Sequence, residues 1–169
     1  LIEFVKLLKD SGILKDIIFL HVIGKDIEEK AREYLDTEAW LKFKNQVREE
    51  MTEQISRHLN DSSDYKVTVF AGSALEIMNT QSKSENADLI VVGNKLSKNG
   101  SGVAANHIAR SSLCDILFVP EIKLSKPESV LFPNDFSQHA ESSIELGNRI
   151  CGSLGVRYFK ALTVLPSPV

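Results

Sequence analysis

The fold of this chain is decided by residues 88–121, which read DLIVVGNKLSKNGSGVAANHIARSSLCDILFVPE. Two short apolar runs, at 89–92 and 116–119, are rich in β-branched residues and bounded by turn formers, so they indicate strands buried on both faces. Between them lie a glycine-bearing loop and one short helix. This pattern predicts two parallel strands joined by a crossover, with the loop at their carboxyl ends.

The glycines of this loop allow two interpretations. Gly93 ends the first strand, and Gly100, Ser101 and Gly102 lead into the helix. Backbone N–H groups that are free at a helix N-terminus attract phosphate. Glycines after a buried strand also serve simply to turn the chain. At this point the sequence leaves both interpretations open.

Composition bounds the class of protein. A chain of 169 residues that is 43% hydrophobic can bury one sizeable core, or one domain and part of another. The net charge of −3, without any long run of like charge, argues against a nucleic-acid surface. No apolar stretch approaches the roughly 18 residues of a membrane span, and no signal-peptide pattern is present. We expect a soluble, cytoplasmic protein without nucleic-acid or membrane partners.

Outside residues 88–121 the chain alternates between helical and strand patterns, with strands predicted at 17–23 and 66–71. Within residues 26–60 the apolar residues recur every four positions, a step that advances about 40° beyond a full helical turn. One straight helix cannot bury such a stripe against one sheet. We therefore expect a break near Asp36 and Thr37, whose side chains would cap a second helix in which Trp40 packs into the core.

Residues 72–94, GSALEIMNTQSKSENADLIVVGN, resemble the universal stress protein signature, in which a strand ends in glycine, a helix follows and ADLIVVG forms the next strand. Residues 17–23, IIFLHVI, resemble the second strand of that family, and residues 109–121, ARSSLCDILFVPE, its last helix and fifth strand. The resemblance covers residues 1–121 in order. It implies an α/β fold of the adenine-nucleotide alpha-hydrolase-like type, with a doubly wound, parallel five-stranded sheet in the order 3-2-1-4-5.

The resemblance then repeats near the end of the chain. Residues 129–164 resemble the start of a second copy, with a first strand followed by Asp135, a capping Ser137, an amphipathic helix and a second strand. Residues 122–128 contain Lys, Ser and Pro, as a linker does. We expect a tandem arrangement, in which a first copy at 1–121 lacks its first strand and a partial second copy occupies 129–169.

Nucleotide-binding members of that family hold phosphates in a Gly-x2-Gly-x9-Gly-Ser/Thr loop and the adenosine beside an Asp after the first strand. Carried over by position, the first and last loop glycines are Gly93 and Gly102, and the matching Asp exists only in the second copy. The resemblance thus implies a nucleotide crevice formed by Val22, Gly93, Gly102, Val103 and Asp135.

The loop departs from the family pattern in three ways. Leu96 stands at the second glycine position, Val103 stands at the Ser/Thr position, and the loop is shorter than the pattern. These changes remove a flexible turn and a hydroxyl donor from the place where a triphosphate would lie. We expect no cofactor, or only weak binding of ATP or AMP, and a mobile segment at 95–101 that holds no nucleotide.

Three functions remain open. The first is a stress-response module that binds ATP or AMP. The second is a dimerising, non-catalytic module in which residues 116–119, the fifth strand of the family order, pair with a partner strand. The third is an enzyme of the wider nucleotide-binding α/β class, which we set last because no Ser-His-Asp set, metal set or P-loop is visible.

The absent first strand leads to one further expectation. In the order 3-2-1-4-5 that strand is central, so an empty slot would leave two rows of buried backbone groups without hydrogen bonds. Residues 130–134, VLFPN, are the spare strand of the right type. We expect this strand to insert between the second and fourth strands as a swap from a neighbouring chain, which makes the protein at least a dimer.

Overall fold

A computed structural model describes residues 1–59, 65–94, 107–120 and 127–163. The chain divides into two compact units, of which the first comprises Leu1–Glu3 and Asp16–Ile122, and the second Phe4–Lys15 and Lys123–Val169. The loop segment 95–101, Gly102, Val103 and most of the predicted linker lie outside the described residues.

Helices and strands alternate along the described chain, as the sequence predicts. In chain order they are α1 (Ile2–Asp10), β1 (Ile17–Gly24), α2 (Lys25–Tyr34), α3 (Thr37–Ser56), β2 (Tyr65–Gly72), α4 (Ala74–Ser84), β3 (Leu89–Asn94), β4 (Asp115–Pro120), β5 (Ser129–Pro133), α5 (Gln138–Ser153) and β6 (Tyr158–Leu162). Residues 107–111 are also helical.

The predicted break between two helices is confirmed at Asp36. Helix α2 ends with Leu35 in an extended conformation, and α3 begins after Asp36, whose Oδ1 accepts a hydrogen bond from the Ala39 N–H at 2.8 Å. This cap satisfies one of the N–H groups that a helix start leaves free. Trp40 is buried and its ring stacks on Phe43, so the expectation that it packs into the core is also confirmed.

The described strands form three two-stranded sheets, and every pair is parallel. In the order 3-2-1-4-5, β1 and β2 correspond to the second and third strands, and β3 and β4 to the fourth and fifth. The pairs β2–β1 and β3–β4 are therefore the neighbours that this order predicts on either side of the first strand. The described strands do not join these two sheets, so the complete five-stranded order stays a prediction. In that order, the two sheets would be joined by a strand between β1 and β3.

The core of the first unit lies around the β1–β2 sheet. Ile17 and Ile23 of β1 are buried, and helices α2, α3 and α4 all contact this sheet. Ile55 of α3 and the following Leu59 are almost fully buried. Helix α3 therefore packs on this sheet through β2.

The second unit follows the predicted strand-helix-strand pattern. Ser137 caps α5 as expected, because its Oγ accepts a hydrogen bond from the Ala140 N–H at 3.2 Å. Helix α5 packs closely on β5, and a Cβ added at Gly147 would collide with the Phe132 ring. In β5 itself, Ser129–Pro133 pair with β6 along one edge. An insertion between β1 and β3 would use both edges and thus requires the release of β6.

Both cysteines are free thiols. Cys151 is buried in α5 and Cys114 is half-buried just before β4. Burial raises the pKa of the Cys151 thiol, because the desolvated thiolate is disfavoured. This environment keeps the Cys151 side chain a neutral, poorly reactive group.

Candidate functional site

The structure describes three of the five predicted nucleotide contacts. Val22 is half-buried in β1 opposite Phe70, and Gly93 is exposed in β3 opposite Val119. Both belong to the first unit, whereas Asp135 belongs to the second. Gly102 and Val103 lie outside the described residues. In the first unit, the described part of the predicted site is thus Val22 and Gly93, near the carboxyl ends of β1 and β3.

The local structure does not require a glycine at position 93. Gly72 has a φ of 134°, which an L side chain rarely adopts, but Gly93 has no such positive φ. A Cβ added at Gly93 would lie 3.6 Å from Cδ2 of Leu1, an ordinary van der Waals distance. The fold therefore tolerates an alanine at position 93, which makes this residue suitable for testing nucleotide contact.

Asp135 has a structural role in the turn that enters α5. Its Oδ1 accepts a hydrogen bond from the Ser137 N–H at 2.9 Å, and Oδ1 of Asn134 accepts one from the Phe136 N–H at 2.8 Å. Phe136 itself has a φ of 61°, which these two bonds help to maintain. The hydrogen bonds from Ser137 lower the pKa of the Asp135 carboxyl below its ordinary value.

The carboxyl end of the β1–β2 sheet meets two helix starts. Helices α2 and α4 begin there after Gly24 and Ser73, and neither residue makes a side-chain capping bond. Such N-termini attract anions, but their first turns carry Asp26 and Glu28 in α2 and Glu76 in α4. These carboxylates complement the helix dipoles and repel a phosphate. The electrostatics at this end therefore disfavour an anionic ligand.

Sequence reasoning missed a cavity of about 520 Å³ in the first unit. Phe19 and Leu20 of β1 line it, together with residues 1–3, Met51 and Ile55 of α3, and His58 just beyond that helix. The stripe that carries Met51 and Ile55 was visible in the sequence as packing. Their position in the cavity lining depends on how segments distant in sequence pack together, and the sequence pattern does not carry that information.

The outer edges of the first unit differ in their protection. Strand β2 carries Lys66, whose Nζ lies 2.6 Å from Oε1 of Glu85. In β4 a charged residue and a proline stand at the two ends, as Asp115 and Pro120, and residues 116–119 between them are apolar. Charged residues and prolines block the addition of further strands to a sheet edge. The middle of β4 is without this protection.

The described ranges contain no cluster of three or more His, Cys, Asp or Glu side chains arranged to hold a metal ion. None of the helices described combines the length and the apolar character that crossing a membrane requires.

Comparison with known proteins identifies the fold. No protein family and no curated protein matches the sequence. Among solved structures, the hypothetical protein MJ0577, the subject of a structure-based assignment of biochemical function, is similar with a TM-score of 0.51 and 21% identity over 72% of this chain and 89% of that chain. The hypothetical protein PH0823 is similar with a TM-score of 0.55 and 20% identity over 73% of this chain and 88% of that chain. At these identities the likeness establishes an α/β fold of parallel strands and helices.

Proposed function

We propose that this chain is a universal stress protein-like module that acts in the cytoplasm, in stress response or signalling, by dimerising and without catalysis. Two observations support the family: the motifs at 72–94 and 109–121, and the likeness of the fold to MJ0577 and PH0823. The acidic helix starts beside β1 and β2 favour a role that does not depend on a nucleotide.

The observation that carries dimerisation is the outer edge of β4. This strand pairs with β3 along one edge, and no other described strand pairs with it. Its residues 116–119 are apolar, so the N–H and C=O groups of its other edge are not protected by charge. A second copy presents the same edge, and two such edges related by a two-fold axis form a self-complementary contact.

Light scattering on a charged variant tests this contact. We expect Leu117→Lys in β4 to halve the particle mass, because a buried lysine at a strand-strand contact loses its hydration. The matched control is Thr68→Lys on β2, the outer strand of the other sheet, which should leave the mass unchanged. An unchanged mass for Leu117→Lys, with circular dichroism confirming a folded protein, would contradict the proposed dimer.

A second candidate is binding of ATP or AMP, favoured by the position of Val22 and Gly93 near the carboxyl ends of their strands, where open α/β sheets bind small molecules. A thermal shift with ATP or AMP and Mg²⁺ distinguishes the candidates, because a ligand at 100 times its Kd stabilises by about 2.7 kcal/mol. We expect no shift. A shift that Gly102→Leu abolishes, and that Thr68→Lys retains, would establish nucleotide binding instead.

A further inference from the structure

Leu113 is an apolar side chain held in solvent at the entry to β4. It is 68% exposed, and no other leucine or isoleucine in the described ranges is exposed to the same extent. Single exposed leucines are common on protein surfaces. The meaning of this one therefore depends on how its backbone is held and on what lies beside it.

The backbone around Leu113 is fixed by the preceding residue, Ser112. The Ser112 Oγ donates a hydrogen bond to the Cys114 carbonyl oxygen at 3.0 Å and accepts one from the Cys114 N–H at 3.4 Å. The Ser112 N–H in turn donates to the Ile108 carbonyl oxygen at 3.1 Å, which ties the turn to the preceding helix. Residues 112–114 thus form one braced turn, and Leu113 lies at its apex.

This turn lies at a corner of the β3–β4 sheet. Strand β4 pairs with β3 along one edge, and no other described strand pairs with it. A second copy that adds to the outer edge of β4 would lie about 4.8 Å from this strand, within reach of a leucine side chain at its entry. The exposed Leu113 side chain therefore lies next to the contact proposed above for dimerisation.

Charge at the start of β4 favours one direction of pairing between the two copies. Asp115 is exposed at the first position of the strand. Two β4 strands that pair in parallel about a two-fold axis would place the two Asp115 carboxylates side by side, and like charges in that arrangement are destabilising. An antiparallel pair moves them to opposite ends of the contact. The start of each β4 then lies beside the end of the other, which is Pro120.

We propose that Leu113 of each copy packs against Pro120 of the other, so that an apolar clasp closes each end of the β4 dimer. Proline has no N–H, so the contact at Pro120 depends on side chains more than on ladder hydrogen bonds. A register that pairs Ile116 with Leu117 of the second copy brings Leu113 opposite Pro120, and removes Leu113 from water twice in each dimer. This clasp rests on the β4 dimer proposed above, and it adds the direction and register of that contact.

The dimer Kd of charged variants, measured by analytical ultracentrifugation, tests the clasp. We expect Leu113→Lys to raise the Kd at least about tenfold, because a charged side chain then replaces an apolar contact twice in each dimer. Pro120→Glu should also raise the Kd. The double variant should dimerise more tightly than either single variant, because each lysine then faces a glutamate of the other copy. Positions 113 and 120 of one chain are about 20 Å apart along the strand, so this rescue requires contact between copies.

Leu41→Lys is the matched control, since Leu41 is 54% exposed on α3 of the same unit, and it should leave the Kd unchanged. An unchanged Kd for Leu113→Lys, or a double variant no tighter than the single variants, would overturn the clasp even where Leu117→Lys dissociates the dimer. A dimeric Leu117→Lys protein, or a monomeric wild type, would instead refute the β4 contact itself, and the clasp with it.

Discussion

The β1–β2 and β5–β6 sheets have the same parallel topology but different cover. Helices α2, α3 and α4 all contact the first sheet, and Ile17 and Ile23 within it are buried. The second sheet packs on α5 through Phe132, whereas the face that carries Tyr158, Leu162 and Leu131 is open to solvent. Parallel sheets are stable when both faces are covered. The difference shows that helices cover the β1–β2 sheet more completely than the β5–β6 sheet, which leaves large apolar side chains exposed on one face.

The strongest test of this difference is truncation of one buried isoleucine in each region. Ile55→Ala in α3 should lower the free energy of unfolding by about 2–5 kcal/mol, because Ile55 is only 2% exposed and its loss leaves a void. Ile150→Ala in α5 is the counterpart, and should cost less because the thinly covered second sheet can relax. Equal losses in urea denaturation would contradict the comparison.

Substitutions at two glycines of α5 test how closely that helix packs on β5. Gly147→Ala should destabilise the protein, because overpacking against the Phe132 ring costs about 1–3 kcal/mol and outweighs the helix propensity that alanine adds. Gly152→Ala should stabilise it by up to about 1 kcal/mol, because the added Cβ would meet nothing within 4 Å beyond its chain neighbours and the backbone of its own helix. Thermal unfolding of both variants gives the two signs directly. A stabilising Gly147→Ala would mean that α5 lies further from β5.

Removal of a helix cap should have a smaller effect on stability, and a second helix start in the same chain serves as the control. Asp36→Ala should cost about 0.5–2 kcal/mol, because it removes the hydrogen bond to the Ala39 N–H at the start of α3. Ser73 occupies the same position before α4 but makes no side-chain bond, so Ser73→Ala should change stability much less. Chemical denaturation of the two variants measures the difference. Similar losses would show that Ser73 also caps its helix.

The smallest effect is a pH dependence confined to the second region. Hydrogen bonds from Ser137 lower the pKa of Asp135 in the folded protein, so this carboxylate stabilises the fold above its ordinary pKa of 3.8. That contribution should disappear as the pH falls below 3.8 and through the lower, folded-state pKa. Asp135→Asn keeps an acceptor oxygen but does not titrate, and should flatten the curve of stability against pH in this window. An unchanged curve would argue against the bond.

Features fixed by neighbouring residues were predictable from the sequence. The break at Asp36 followed from an apolar stripe that one helix cannot bury, and the cap at Ser137 followed from the residue type before a helical pattern. The parallel pairs were also predictable, because short apolar strands that alternate with helices favour parallel pairing.

The candidate site was less predictable because it depends on pairing between distant segments. The cavity beside Phe19 and Leu20 is lined by three separate segments of the chain, and neither residue differs in type from an ordinary strand residue. Asp135 was assigned to a nucleotide crevice by resemblance, whereas its described contact is with the Ser137 N–H. A short polar side chain after a strand serves a turn and a ligand equally well.

The registers of the three strand pairs also set an order of folding. Ile17 pairs with Tyr65, 48 residues further on, whereas the pairs Leu89–Asp115 and Ser129–Tyr158 close 26 and 29 residues. Loop-closure entropy grows with the logarithm of length, so the longest closure costs roughly 0.5 kcal/mol more than the shortest. On refolding from denaturant, amides of β3 and β5 should therefore gain protection before those of β1. The β1–β2 sheet, which helices α2, α3 and α4 all contact, is therefore the sheet whose strands should pair last.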